Sequence, residues 1–156
     1  MAIKMKTVVK LSQSATCPSH SRADIKVRDV GFSIDEPTER GGTNSGPTPT
    51  DTAIAALVGC TNVIAHKCAA AAKIDIGHLN IDAVCDFDRR GVTLSEEIDV
   101  PFQHINLTIS WDGPASAEDI ETVAAEVKKY CPLSKLFRAA GTTIDEEWTQ
   151  VSPRSS

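Results

Sequence analysis

The chain has 156 residues, enough for one domain with a substantial core and too few for two of ordinary size. Apolar residues make up 41% and charged residues 24%, which excludes a disordered or fibrous chain. A net charge of −5 and only 4 Phe, 2 Trp and 1 Tyr supply neither the basic surface nor the stacking platforms that nucleic acid requires, so no nucleic-acid partner is expected.

In chain order, residues 5–13 and then 22–34 read as two strands separated by a Cys-Pro-Ser-His turn, with Ala23, Ile25 and Val27 alternating against polar neighbours. Residues 35–49 (DEPTERGGTNSGPTP) have loop composition and lead into a helix start. There Thr48 suits the N-cap, Pro49 the first helical position, and Asp51 the third, where a carboxylate meets free amides. A long helix is predicted from Pro49 to about Lys73, apolar on nearly all sides through Ala53-Ile54-Ala55-Ala56-Leu57-Val58-Gly59-Cys60. Its run to Ala72 is interrupted by Asn62, His66 and Lys67, so it reads as a buried helix and not a membrane span.

Alternating strands follow at 78–87 and 102–111. Ser116 with Asp119 then caps a helix whose stripe is Ile120, Val123, Ala124, Val127 and Cys131. Pro132 ends that helix and can begin a short one through Ala139, stopped by Gly141; residues 142–151 give a closing strand. The expected organisation is a single α+β domain over 1–151 with antiparallel sheet and a disordered tail at 152–156. A helix apolar all round exceeds what one small sheet covers, so a second copy of the chain is expected against it.

The apolar runs near the start, Met1-Ala2-Ile3 and Val8-Val9, are far too short for a secretory leader, so no export and a cytoplasmic location are expected. The five cysteines, Cys17, Cys60, Cys68, Cys85 and Cys131, form no C-x-x-C, and none of the four histidines has metal-ligand spacing, so neither a metal nor another cofactor is expected. Cys60 and Cys68 share one helix and stand about 12 Å apart along its axis, too far for a disulfide. Cys131 lies on the apolar stripe of its helix and points inward, toward whatever that helix packs on, and it precedes Pro132, where a new helix start favours thiolate. Cys60 is flanked one turn away by Ala56, Leu57, Val63 and Ile64, an apolar setting in which a thiolate needs a cation brought from elsewhere, with Arg the suited type. Buried cysteines are common in soluble cores, and spacing alone does not separate packing from chemistry.

The segment GGTNSGPTPTDTAIAALVGCTNVIAHK (41–67), followed by KKYCPLSKLF (128–137), resembles the OsmC/Ohr family of thiol-dependent peroxide reductases. In that family a Gly-Pro-x-Pro lead-in precedes a central helix with the first cysteine, and a later Cys-Pro-x-Ser carries the second. The resemblance implies an OsmC-like fold in which antiparallel sheets wrap two long central helices of an intertwined homodimer, with active sites at the subunit interface. It implies that Cys60 is the peroxidatic thiolate, reducing an organic hydroperoxide (or hydrogen peroxide) to alcohol and water, and that Cys131 resolves the sulfenic acid as a disulfide reduced by an external dithiol. The family's activating arginine comes from the early strand region; Arg22 fits that placement best and Arg28 second. The family's arginine-clamping Glu, ten residues before the first cysteine, is Thr50 here, and the nearest acid is Asp51. Nine residues of helix turn through about 900° and rise about 13 Å, so Asp51 faces away from Cys60 and its nearer role is the cap. The alternative expectation is a non-catalytic OsmC-like dimer that holds a small apolar ligand at the subunit interface.

Overall fold

A computed structural model describes residues 5–152, which fall into two compact units that divide between Ala53 and Ile54. The expected tail at 152–156 lies outside the described residues apart from Ser152.

The first unit holds an antiparallel sheet of β1 (Ser14–Thr16), β2 (Ala23–Val27) and β3 (Val30–Ile34), in that order. Two expectations change here. Residues 5–13 form no strand, and Met5, Val8, Val9 and Leu11 stand exposed, because the pairing with β2 begins only at Ser14. The run 22–34 is a hairpin: Val27 pairs with Val30 across Arg28-Asp29, and Arg28 takes a left-handed φ of 55°. Arg-Asp is a weak turn signal beside Asn-Gly or Asp-Gly, so the reversal is hidden in the sequence.

After β3 the chain is organised by Asp35, which is fully buried. Its Oδ1 accepts from the Glu36 amide at 2.8 Å. Its Oδ2 accepts from the Thr43 amide at 3.0 Å, the Thr43 hydroxyl at 2.5 Å and the Ser45 amide at 3.1 Å. These donors hold the Asp35 carboxyl far below the usual carboxylate range, the Thr43 hydroxyl contributing most. The loop's glycines are needed for close approach: a Cβ at Gly42 would collide with the Glu36 backbone, and one at Gly46 with the Ser33 carbonyl. The loop delivers the chain to α1 (Pro49–Ala72). At its start the Asp51 amide donates to Thr48 Oγ1 at 3.1 Å, and that hydroxyl donates to Asp51 Oδ2 at 2.7 Å.

In the second unit, β4 (Leu79–Phe87), β5 (Phe102–Trp111) and β6 (Thr143–Gln150) form a sheet in that order. β4 and β5 are antiparallel, but β6 runs parallel to β5, which departs from an all-antiparallel expectation. Parallel neighbours need a crossover, supplied by α2 (Ala117–Tyr130) and α3 (Pro132–Ala139) between them in the chain. Ile105, Leu107, Ile109 and Trp111 point inward from β5 and are buried; Asn106 and Thr108 between them are exposed. Leu57, Thr61, Ala65 and Ala69 form the buried row of α1, spaced by four, and Ile120, Val123 and Val127 that of α2.

The start of α2 has a full capping box: Ser116 Oγ accepts from the Asp119 amide at 3.1 Å, and Asp119 Oδ2 accepts from the Ser116 amide at 3.0 Å. Ser116→Ala is expected to lower unfolding stability by about 1 kcal/mol, read from denaturant midpoints with an unchanged slope.

Candidate functional site

Cys60 lies on α1 one position before Thr61 of the buried row, and so sits at the edge of that row, half-buried. Ile64 and Cys68 continue its line one and two turns on, and both are half-buried. Cys131 is fully buried, between two helices. It closes α2, its amide donating to the Val127 carbonyl at 2.8 Å, and it is the N-cap of α3, with Pro132 at the first position. Its extended backbone (φ −67°, ψ 113°) breaks the helical path and turns Sγ onto the first turn of α3, where the Ser134 amide donates to it at 3.4 Å.

The two cysteines, remote in the chain, come near each other, the Cys60 side chain being one of the groups that act on the Cys131 thiol. Burial is the main cause that pushes the Cys131 thiol up; the Ser134 amide opposes it, the Cys60 side chain adds to it, and the Leu133 amide opposes it weakly. Cys68 and Cys85 are also pushed up by burial, with smaller contributions from Glu126 and Asp86 respectively.

The remaining site candidates belong to the first unit. Arg22 stands at the start of β2, its Nε donating to Asp24 Oδ1 at 2.8 Å and its Nη1 to Ser45 Oγ at 3.3 Å. Asp24 is braced in turn by the Ser33 hydroxyl at 2.6 Å. The hydrogen bond to Asp24 raises the Arg22 pKa, and the same bond holds Asp24 below the usual carboxylate range. Arg28 is exposed in the hairpin turn. Asp51 is exposed, with the cap hydrogen bonds already described, and Thr50 Oγ1 lies 3.1 Å from Thr48 Oγ1.

Sequence reasoning missed Asp24 as the partner of Arg22. The signal was alternation itself, since residues two apart on a strand share a face. It also missed Ser134, three residues past an N-cap cysteine, where the amide aims back at the cap. Between α1 and α2 lies a groove of about 620 Å³ lined mainly by Ile64, Cys68, Ala71, Ala72 and Tyr130, with Lys67, Thr122 and Glu126 at polar positions. Among the described residues no group of three or more His, Cys, Asp or Glu side chains is placed to hold a metal ion.

Similar folds occur among solved structures. An OsmC-like protein from Mycoplasma pneumoniae aligns with a TM-score of 0.76 at 21% identity, covering 92% of this chain and 98% of its own. An organic hydroperoxide resistance protein OsmC from Legionella pneumophila aligns at 0.66 and 17% identity, covering 94% and 99%. An organic hydroperoxide resistance protein from Elizabethkingia anophelis aligns at 0.64 and 19% identity, covering 96% and 100%. No curated protein matches the chain. The OsmC-like protein family profile matches residues 42–147, which takes in the Gly-Pro-x-Pro lead-in, both α1 cysteines and the Cys-Pro-x-Ser turn; the chain therefore belongs to the OsmC-like family.

Proposed function

We propose that this protein is a thiol-dependent hydroperoxide reductase in which Cys60 is oxidised and Cys131 resolves it. The observation that supports the reading is that the Cys60 side chain of α1 comes near enough to act on the Cys131 thiol at the α2–α3 junction. The Cys60 thiolate attacks the terminal peroxide oxygen; the O–O bond breaks, the alkoxide takes a proton and leaves as alcohol, and Cys60 becomes a sulfenic acid. The Cys131 sulfur then attacks Cys60 Sγ, the S–O bond breaks, water leaves, and a disulfide forms. An external dithiol returns both thiols. By the family placement Arg22 is the candidate activating cation, and its hydrogen bond to Asp24 orients the guanidinium.

The working unit is a homodimer. Ala55, Ala56, Gly59, Val63 and Ala70 of α1 are exposed, and a Cβ at Gly59 would meet nothing within 4 Å. Residues 5–13 add exposed Val8, Val9 and Leu11. A second copy covers such apolar surface and supplies the intertwining expected of the family. Sedimentation at micromolar concentration is expected to give a dimer for the wild type and a monomer with unchanged far-UV circular dichroism for Val63→Glu; a monomeric wild type removes the dimer from the reading.

Consumption of cumene hydroperoxide with dithiothreitol as reductant, followed by peptide mapping, tests the chemistry: sustained turnover with a Cys60–Cys131 disulfide is expected. The apolar groove beside Ile64 and Cys68 favours the second reading, an OsmC-like dimer that binds a small apolar ligand. Saturable binding of an apolar fluorophore with no peroxide loss selects that reading.

A further inference from the structure

The surroundings of Cys131 hold a connection that the reaction above does not use. Ser134 is buried, and while its amide reaches the Cys131 sulfur, its hydroxyl accepts from Arg138 Nε at 3.2 Å. The same guanidinium donates through Nη2 to the Ile144 carbonyl of β6 at 2.9 Å. One planar fork thus joins the first turn of α3, its last turn and the neighbouring strand. A lysine, with a single point of attachment, does not reproduce that pair of directed bonds.

We propose that Arg138 is a positioning residue for Cys131: by tying Ser134 to β6 it keeps the first-turn amides of α3 on the Cys131 sulfur, so that Cys131 is the sulfur expelled as thiolate when an external dithiol opens the Cys60–Cys131 disulfide. This inference rests on the pairing of the two cysteines in the proposed function. Access sets the direction, and the first-turn amides of α3 ease the departure of a sulfur whose thiol burial pushes up. Cys131 has 0% exposure while Cys60 is half-buried, so an incoming thiolate reaches Cys60. The Ser134 and Leu133 amides both favour the charged form of Cys131. The dithiol's thiolate bonds to Cys60 Sγ, the protein S–S bond breaks, and its electron pair goes to Cys131. The second sulfur of the dithiol, after losing its proton, then attacks the mixed disulfide. It releases Cys60 as thiolate and closes a cyclic disulfide, so that the dithiol is oxidised by two electrons and the protein reduced by two.

The test begins with protein oxidised by diamide, which forms the disulfide without any peroxide chemistry. Opened by glutathione and quenched with N-ethylmaleimide, the wild type is expected to carry glutathione on Cys60 and the alkyl group on Cys131. With dithiothreitol in stopped flow, Arg138→Ala and Arg138→Lys are expected to open about tenfold more slowly than wild type, with an altered pH profile. Peroxide oxidation of Cys60 in a Cys131→Ser background is expected to be the same with and without Arg138→Ala. Should Arg138→Ala fail to fold, Ser134→Ala removes the same acceptor, keeps the amide and carries the same expectation. Glutathione on Cys131, or wild-type opening rates in the Arg138 variants, overturns the proposal. Absence of peroxide turnover with the glutathione adduct still on Cys60 overturns the peroxidase reading alone, and failure of diamide to form the disulfide overturns both.

Discussion

Cys60→Ser is expected to abolish dithiol-supported hydroperoxide consumption, lowering it at least about a thousandfold to the rate of free dithiol with peroxide, because a serine hydroxyl is almost wholly un-ionised at neutral pH. Cys131→Ser is expected to behave differently. It should consume one equivalent of peroxide per chain, then accumulate a sulfenic acid that a dimedone probe labels on Cys60 and that excess peroxide carries on to sulfinic acid. The two variants separate the steps: the first removes the nucleophile, the second removes only its partner at the α2–α3 junction. Multiple turnovers in Cys60→Ser would end the assignment. Dimedone labelling at another of the five cysteines would move it.

Asp35→Asn is expected to be the most damaging conservative change in the first unit, lowering the thermal midpoint by roughly 5 to 10 °C. Both carboxylate oxygens accept: Oδ1 from the Glu36 amide, Oδ2 from Thr43 and Ser45. Either orientation of an Asn amide therefore points an NH₂ at backbone N–H donors, leaving them unpaired in a buried place. The pH dependence has a definite sign. The folded carboxyl has a pKa well below its ordinary value of 3.8, so the unfolded chain takes up the proton first as pH falls. The stabilisation is complete above that ordinary value, begins to fall as pH passes below it, and is gone once the folded group is protonated as well. Thermal midpoints measured from pH 7 down to pH 3 should show the Asn variant lacking this component of the acid slope. Equal slopes and equal midpoints would show that the network contributes nothing to stability.

Local chemistry was legible wherever a residue acts on its own neighbours. The Thr48-Pro49-Asp51 start of α1, the Ser116/Asp119 box of α2 and the Cys131-Pro132 break all stand where the sequence places them, because capping and proline geometry are settled within four residues. The strand at 102–111 was equally plain, since its alternation spans one buried and one exposed face. The strand read at residues 5–13 does not form, because within the chain those residues gain no ladder partner and β-propensity is overridden by what is available to pair. The Arg28-Asp29 turn escaped because the left-handed position carries arginine in place of glycine or asparagine.

The sequence by itself determined the helices, their caps and the inward direction of Cys131, because each follows from periodicity and from bonds between near neighbours. Only the tertiary structure decided that β6 runs parallel to β5, that Arg22 is taken up by Asp24, that Arg138 grips both Ser134 and β6, and that Cys60 comes near enough to act on the Cys131 thiol. Each of these joins residues whose meeting depends on how elements cross, on strand pairing or on which side of a helix is covered. Such choices are made by the burial of the whole apolar surface and leave no mark on the spacing of the residues themselves.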